Sequence, residues 1–327
     1  MNLPIPLIPQ IKNKSYLVTG GAGFIGSNLV AYLLQQDAKE VRVLDNLSTG
    51  NKDNITEFET DPRFKFILGD ITNYQTCLTA CENIDGIFHN AALGSVSRSI
   101  EDPIATNHAN ITGFVTMLTA AKHQGVKKIV FASSSSVYGD DISTEKQEPI
   151  TGNLLSPYAV SKKTNELYAT VFSTSYQLPI IGLRYFNVFG PKQNPQGQYA
   201  AVIPIFISQL LKNESASIFG DGSTSRDFTF IDNVVYANLL AMTSTINTGL
   251  YNVAYGSSTS LNTLYQTISK KLDSSVMPLY KAERKGDIKN SLANINRIKK
   301  ELNYQPLVNI EQGLEETIAW YKENLKY

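Results

Sequence analysis

Cysteine is nearly absent: Cys77 and Cys81 are the only two in 327 residues. They stand four apart, a spacing that shares one helical face and is not a Cys-x-x-Cys pair, so both read as small buried hydrophobes in a reducing compartment. Histidine is as scarce. His89, His108 and His123 have no ligand-like spacing to one another or to the cysteines, and no metal site is expected. Neither sign of charge is in excess: 29 basic and 29 acidic side chains balance, leaving no global field to attract nucleic acid or an anionic membrane. A long apolar run is missing too. Met1 to Gln10 is apolar but broken by Pro4, Pro6 and Pro9, with no basic residue before Lys12. That argues against a signal peptide or a spanning helix and for an irregular arm, residues 1–14, on a cytoplasmic protein. Internal repeats, low-complexity tracts and long charge runs are also absent.

What the chain does have is length and rhythm. Single cores rarely grow beyond about 250 to 300 residues, so two lobes are expected. Short apolar runs alternate with helical patterns: Tyr16-Leu-Val, a helix through Leu29, Leu33 and Leu34, then Val41 to Leu44. Such alternation predicts a parallel, doubly wound α/β sheet. Further strands are expected at Phe64 to Leu68, Gly86 to His89, Lys128 to Ala132 and Pro179 to Arg184, with helices at Ile104 to Gln124 and Pro157 to Tyr176. Beyond Asn187 the rhythm breaks into Gly- and Pro-rich connections, and Gly249 to Val253, after a helix through Val234 to Met242, can return the chain to the sheet. The expected division is therefore discontinuous. Residues 15–187 and about 229–256 form a nucleotide-binding domain of the Rossmann type, and about 188–228 and 257–327 a smaller α/β substrate lobe.

Thr19-Gly20-Gly21-Ala22-Gly23-Phe24-Ile25-Gly26 follows the first expected strand and opens the first expected helix. There glycines let backbone amides and a helix N-terminus approach a pyrophosphate. The second strand ends at Asp45, about twenty residues on, where a carboxylate accepts hydrogen bonds from ribose hydroxyls and repels a 2'-phosphate; NAD is favoured over NADP. Gly69-Asp70-Ile71 ends the third strand, and Asp70 either meets adenine or caps the next helix.

Tyr158 and Lys162 form a Tyr-x-x-x-Lys pair after the serine run Ser133 to Ser136. Side chains four apart share a helical face. A free phenol has a pKa of about 10. An ammonium about 4 Å away at an effective dielectric near 20 offers about 4 kcal/mol, or about three pKa units, which would bring the phenol near neutrality. The same spacing also occurs by chance on surface helices, so the pair takes its meaning from its surroundings.

Taken together, the glycine turn, the serine run and the Tyr-x-x-x-Lys pair resemble the extended short-chain dehydrogenase/reductase family over nearly the whole chain. Leu44-Asp-Asn-Leu-Ser-Thr-Gly50, Ser133-Ser-Ser-Ser-Val-Tyr-Gly139, Leu183-Arg-Tyr-Phe-Asn-Val-Phe-Gly190 and Gly220-Asp-Gly-Ser-Thr-Ser-Arg-Asp-Phe228 are similar to nucleotide-sugar 4-epimerases. Ala92-Leu-Gly-Ser-Val-Ser-Arg98 and Tyr199-Ala-Ala-Val-Ile-Pro204 resemble the bacterial subgroup acting on UDP-N-acetylglucosamine and UDP-N-acetylgalactosamine, or on their uronic acids. The resemblance implies catalysis by Tyr158, Lys162, Ser134 and Ser135, with Ser136 only a turn residue. It implies NAD held by Gly20, Gly23, Phe24, Ile25 and Gly26, by Asp45, Asn46, Ser48, Thr49 and Gly50, and by Asp70 and Ile71. Ala91, Ala92, Asn110, Tyr158, Lys162 and Tyr185 complete that set. For the UDP-sugar it implies Ser134, Ser135, Tyr158, Asn187, Ala201, Val202, Arg226, Arg284, Asp287 and Ser291, the two arginines gripping the diphosphate.

The implied reaction starts with proton loss from the sugar 4-hydroxyl to Tyr158 while the C4 hydride passes to NAD. The 4-keto sugar then turns over and takes the hydride on its other face. Related dehydratases carry Thr-Asp-Glu where this chain has Ser134, Ser135 and Ser136, so elimination lacks its acid. Ser291 matches a gatekeeping position beside the sugar 2-substituent, where its small volume leaves room for an N-acetyl group. The alternative sugars implied are UDP-hexuronic acids, with Arg98 or Lys289 meeting the C6 carboxylate, and UDP-glucose/UDP-galactose. A redox-sensing regulator that binds NAD without chemistry has no need of Tyr158 and Lys162. A homodimer is expected to pair the helices Ile104 to Gln124 and Pro157 to Tyr176 with their copies.

Overall fold

The computed structural model describes Pro6 and residues 8–195, 200–283 and 289–325. Seven strands form one sheet: β1 (Ser15–Thr19), β2 (Glu40–Asp45), β3 (Phe64–Leu68), β4 (Gly86–His89), β5 (Lys128–Ser134), β6 (Ile180–Tyr185) and β7 (Thr248–Val253). All are parallel, side by side in the order β7-β6-β5-β4-β1-β2-β3. A strand buried on both faces needs apolar residues in both alternations, which is why these segments read as unbroken hydrophobic runs. Tyr16, Val18, Val43, Phe88, Val130 and Leu183 pack on one face, with the helices Phe24–Gln35 and Ile231–Thr243. On the other face Leu17, Ile87, Ile129 and Phe131 meet Cys77 and Cys81, together with the helices Gly113–His123 and Pro157–Tyr176. Both thiols are fully buried, and burial pushes each up to about 12.

The order reverses between β1 and β4, and the crevice above the carboxyl ends of those strands is where open α/β sheets bind ligands. β5 runs two residues beyond the expected Ala132, to Ser134. The added residues are serines at the rim of that crevice, so the strand outlasts its hydrophobic signal. The helix expected over Ile104 to Gln124 is three pieces, an α-turn Pro103–Asn107, a π-turn His108–Thr112 and an α-helix Gly113–His123. By contrast Pro157–Tyr176 is one helix: Ser156 Oγ accepts the Ala159 amide at 3.1 Å, Pro157 sits in the first turn, and the chain leaves through Gln177 in the left-handed conformation.

A smaller sheet of four short strands has the order Thr259–Ser260, Ser225–Arg226, Asn290–Ala293, Glu145–Lys146. Its last strand comes from the segment between β5 and the long helix, so the first half of the chain pairs with strands from the second half. The N-terminal arm is tied down through Gln36, whose Oε1 accepts the Ile8 amide at 2.6 Å and whose Nε2 donates to the Pro6 carbonyl at 3.1 Å, while Ile11 is fully buried. Among the described residues no helix is long and apolar enough to cross a membrane.

Candidate active site

A cavity of about 500 Å³ opens at the carboxyl ends of the strands. Gly20, Gly23, Phe24, Ile25 and Gly26 form its floor. Gly20 has φ +67°, and its carbonyl accepts the Gly23 amide at 3.1 Å, which tightens the turn. A Cβ at Gly26 would lie 2.2 Å from the Gly20 carbonyl oxygen and 2.7 Å from the Gly21 Cα, so turn and helix can approach this closely only without side chains. Gly23 caps the helix without a side-chain acceptor, leaving first-turn amides for a ligand.

Asp45, Asn46, Ser48, Thr49, Gly50, Asp70 and Ile71 line the adjoining wall. Asp45 is buried; Oδ2 accepts the Ala22 amide at 2.9 Å and Oδ1 the Leu47 amide at 2.8 Å, so it braces the glycine turn as well as facing the cavity. Asp70 is not the cap of the next helix. Asn73 is, accepting the Thr76 amide at 2.9 Å, while Asp70 binds Thr72 and takes the Asn46 amide group at 2.8 Å. The capping reading of Asp70 is therefore withdrawn.

The inner end of the cavity holds Ala91, Ala92, Ser134, Tyr158, Lys162, Tyr185 and Asn187. Ser134 caps the short helical turn Ser135–Tyr138 by accepting the Ser136 amide at 3.1 Å, and it lines the cavity together with Tyr158. Burial pushes the phenol above its ordinary value and the Ser134 hydroxyl only partly offsets this. Lys162 is anchored on the neighbouring strand. Its Nζ donates to the Ala132 carbonyl at 2.7 Å and lies 5.9 Å from the Tyr158 ring centre. Burial pushes the ammonium down to about 8. Behind it, His89 is held down to about 3 by burial and then by Lys162, so the imidazole is neutral and adds no competing charge. The expectation that one lysine nearly suffices to ionise Tyr158 is thus corrected, because burial disfavours the phenolate and raises the phenol.

Other expected residues stand outside the cavity wall among the described residues. Asn110, in the π-turn, is buried; its Oδ1 accepts the Leu93 amide at 2.7 Å, and its Nδ2 donates to the Leu93 carbonyl and to Ser161 Oγ. It pins the loop after β4 to the long helix, and its neighbour Ala109 lines the cavity instead. Ser135 lies in the helical turn, half-buried; Ser136 stands beside it with Oγ buried and unpartnered. Ala201 and Val202 start the helix Val202–Leu211. Arg226 and Ser291 are cross-strand partners in the small sheet, with Arg226 Nη1 donating to the Ser225 and Lys289 carbonyls at 2.9 and 3.3 Å. Arg284 and Asp287 lie outside the described residues.

The cavity also contains residues with no expected site role: Asn90 and Gln193, which no motif marked, and Ser133, the first of the serine run. Asn90 follows β4 at the switch point, a position the strand pattern could have flagged; Gln193 carries no sequence signal. Both polar atoms of the Asn90 amide, and Gln193 Oε1, are buried without a hydrogen-bond partner. Each orphan costs about 1–3 kcal/mol unless a polar ligand satisfies it. With the glycine turn, the bare helix terminus and Asp45, this donor and acceptor set fits a dinucleotide.

Comparison with known proteins gives the same answer. Residues 16–254 match the family described as "NAD dependent epimerase/dehydratase family". UDP-glucose 4-epimerase of Mycolicibacterium smegmatis is 37% identical over 308 residues, 94% of this chain and 98% of that protein. The structure of UDP-N-acetylglucosamine 4-epimerase from Methanobrevibacter ruminantium, in complex with UDP-N-acetylmuramic acid, superposes with a TM-score of 0.92 at 39% identity, covering 96% of this chain and 100% of that one. UDP-glucuronic acid 4-epimerase from Bacillus cereus, solved with UDP-glucuronic acid and NAD, gives 0.87 at 31% identity, covering 94% and 99%. With its doubly wound sheet, glycine turn and tyrosine–lysine pair, the chain is a member of the NAD-dependent epimerase/dehydratase family.

Proposed function

We propose that the chain interconverts the C4 epimers of a UDP-N-acetylhexosamine, UDP-N-acetylglucosamine and UDP-N-acetylgalactosamine. The observation that carries this reading is the convergence of Ser134, Tyr158 and Lys162 at the inner end of a cavity floored by the glycine turn. NAD, held by the glycine turn and Asp45, would supply a reversible acceptor for the C4 hydride. Tyr158 takes the proton of the 4-hydroxyl and returns it to the new epimer. Ser134 holds the reacting oxygen in hydrogen-bond reach of the phenol, and Lys162 stabilises the phenolate from its anchor on Ala132. Arg226 and Arg284 grip the diphosphate about which the keto sugar turns, and Asn187 adds a contact from the cavity wall. Ser291, paired with Arg226, leaves space for the 2-acetamido group.

A symmetric dimer completes the proposal. Ile100 and Ile104 are exposed on the segment packed against the long helix, which itself exposes Val160, Leu167, Tyr168 and Val171. A second copy of the same apolar face would cover them. The reading is tested by incubating the pure protein with UDP-glucose, UDP-N-acetylglucosamine and UDP-N-acetylglucosaminuronate separately and quantifying each C4 epimer. Fastest turnover of the N-acetylhexosamine is expected, and no epimer from any of the three overturns the reading.

A further inference from the structure

Three successive residues of β5 meet three residues of the long helix. The Ala132 carbonyl accepts from Lys162 Nζ at 2.7 Å, Ser133 Oγ donates to Glu166 Oε1 at 2.7 Å, and Ser134 lines the same cavity as Tyr158. The middle contact is made by groups with no part in the proposed proton transfer. Glu166 is 2% exposed and receives a bidentate fork from Arg184 on β6, Nε to Oε1 at 2.7 Å and Nη2 to Oε2 at 2.8 Å. Arg184, 1% exposed, also donates to the Glu148 carbonyl at 3.0 Å, and its guanidinium lies 4.9 Å over the Tyr138 ring. In the sheet, Ser133 and Arg184 are register partners.

A buried ion pair is a poor stabiliser, because desolvation consumes most of its Coulomb energy and apolar residues of similar volume do as well or better. What the fork does supply is fixed geometry. We propose that Ser133, Glu166 and Arg184 form a positioning frame that sets the axial register of the long helix against β5 and so holds the Tyr158 oxygen in reach of Ser134. The frame rests on the reading of Tyr158 as the proton carrier. An error of about 1 Å in such a contact can lower turnover about 100-fold.

Ser133→Ala removes only the strand's tether and leaves the ion pair in place. The expected result is a fall in kcat of about tenfold or more with KM for the UDP-sugar within about threefold, since the substrate-gripping residues are untouched. The ultraviolet titration of the Tyr158 phenol, taken as the difference from Tyr158→Phe, shifts upward as Ser134 and the phenol move apart. The double variant Glu166→Met, Arg184→Met keeps its melting temperature within a few degrees of wild type or raises it, yet shows the same loss of kcat. Wild-type kcat in Ser133→Ala, or an unmoved phenol titration, overturns the frame; that single variant decides the matter if the double variant does not fold. Tyr158→Phe separates the two ideas. Full turnover in Tyr158→Phe defeats the proton-carrier reading itself, whereas an inactive Tyr158→Phe beside a fully active Ser133→Ala defeats only the frame.

Discussion

Lys162→Met separates the electrostatic work of the lysine from its packing. The ammonium lies 5.9 Å from the centre of the Tyr158 ring. At that separation and an effective dielectric near 20, Coulomb attraction to a phenolate is about 3 kcal/mol, or about two pKa units. Removing it should displace the rising limb of the kcat–pH profile upward by about two units. At pH 7 turnover should fall about 100-fold, and in the enzyme carrying NAD, whose cationic nicotinamide lowers the phenol, the deficit should shrink as pH approaches 9 to 10. Stability should move differently. Burial holds the folded ammonium at about 8, below its unfolded value of about 10.4. The folded chain therefore binds fewer protons between those values, so the penalty is fully present below pH 8 and is relieved as pH rises. Methionine removes about 3 kcal/mol of that penalty and loses one hydrogen bond to the Ala132 carbonyl, roughly 1–3 kcal/mol, so the net change at pH 7 is small. The assay pairs a kcat–pH series from 6 to 10 with thermal unfolding at pH 7. A deficit equal at every pH, or one tracking a large drop in melting temperature, would refute the electrostatic account.

Three further outcomes follow from particular contacts. Gly26→Ala puts a Cβ 2.2 Å from a backbone oxygen that cannot retreat, whereas Gly94→Ala on the same cavity wall meets nothing within 4 Å. Bound NAD, measured after denaturation, should be largely lost only in the former, and equal NAD content would show that the close approach is not needed. Ser291→Tyr should lower turnover of UDP-N-acetylhexosamines much more than of UDP-glucose; equal losses would dismiss the gate. Asp232 is pushed up to about 7 by burial, only partly countered by the nearby Tyr32 hydroxyl. The folded chain holds its proton between about 4 and 7, so stability falls as pH rises through that window. Asp232→Asn should be more stable than wild type at pH 8 by about 2–4 kcal/mol, and at pH 5 by less than half of that, as read from urea midpoints. A parallel offset at both pH values would contradict the assignment.

Local chemistry was legible in the sequence wherever it depends on neighbours along the chain. Apolar runs such as Tyr16 to Val18 and Gly86 to His89 are buried on both faces of a sheet, so they announce parallel strands without a partner in view. The glycine turn and the four-residue spacing of Tyr158 and Lys162 are likewise set by backbone geometry within one strand-turn-helix or one helix. The tertiary structure alone decided how those pieces meet. It anchored Lys162 on the Ala132 carbonyl, gave the helix cap to Asn73 in place of Asp70, and bent Asn110 through a π-turn toward Leu93. It also drew Glu145–Lys146 out of the first half of the chain to pair with the strand that carries Ser291. Distances between side chains on different elements are set by packing, and packing depends on residues far apart in sequence. That is why the sequence names the chemistry of the site but not the separations that tune it.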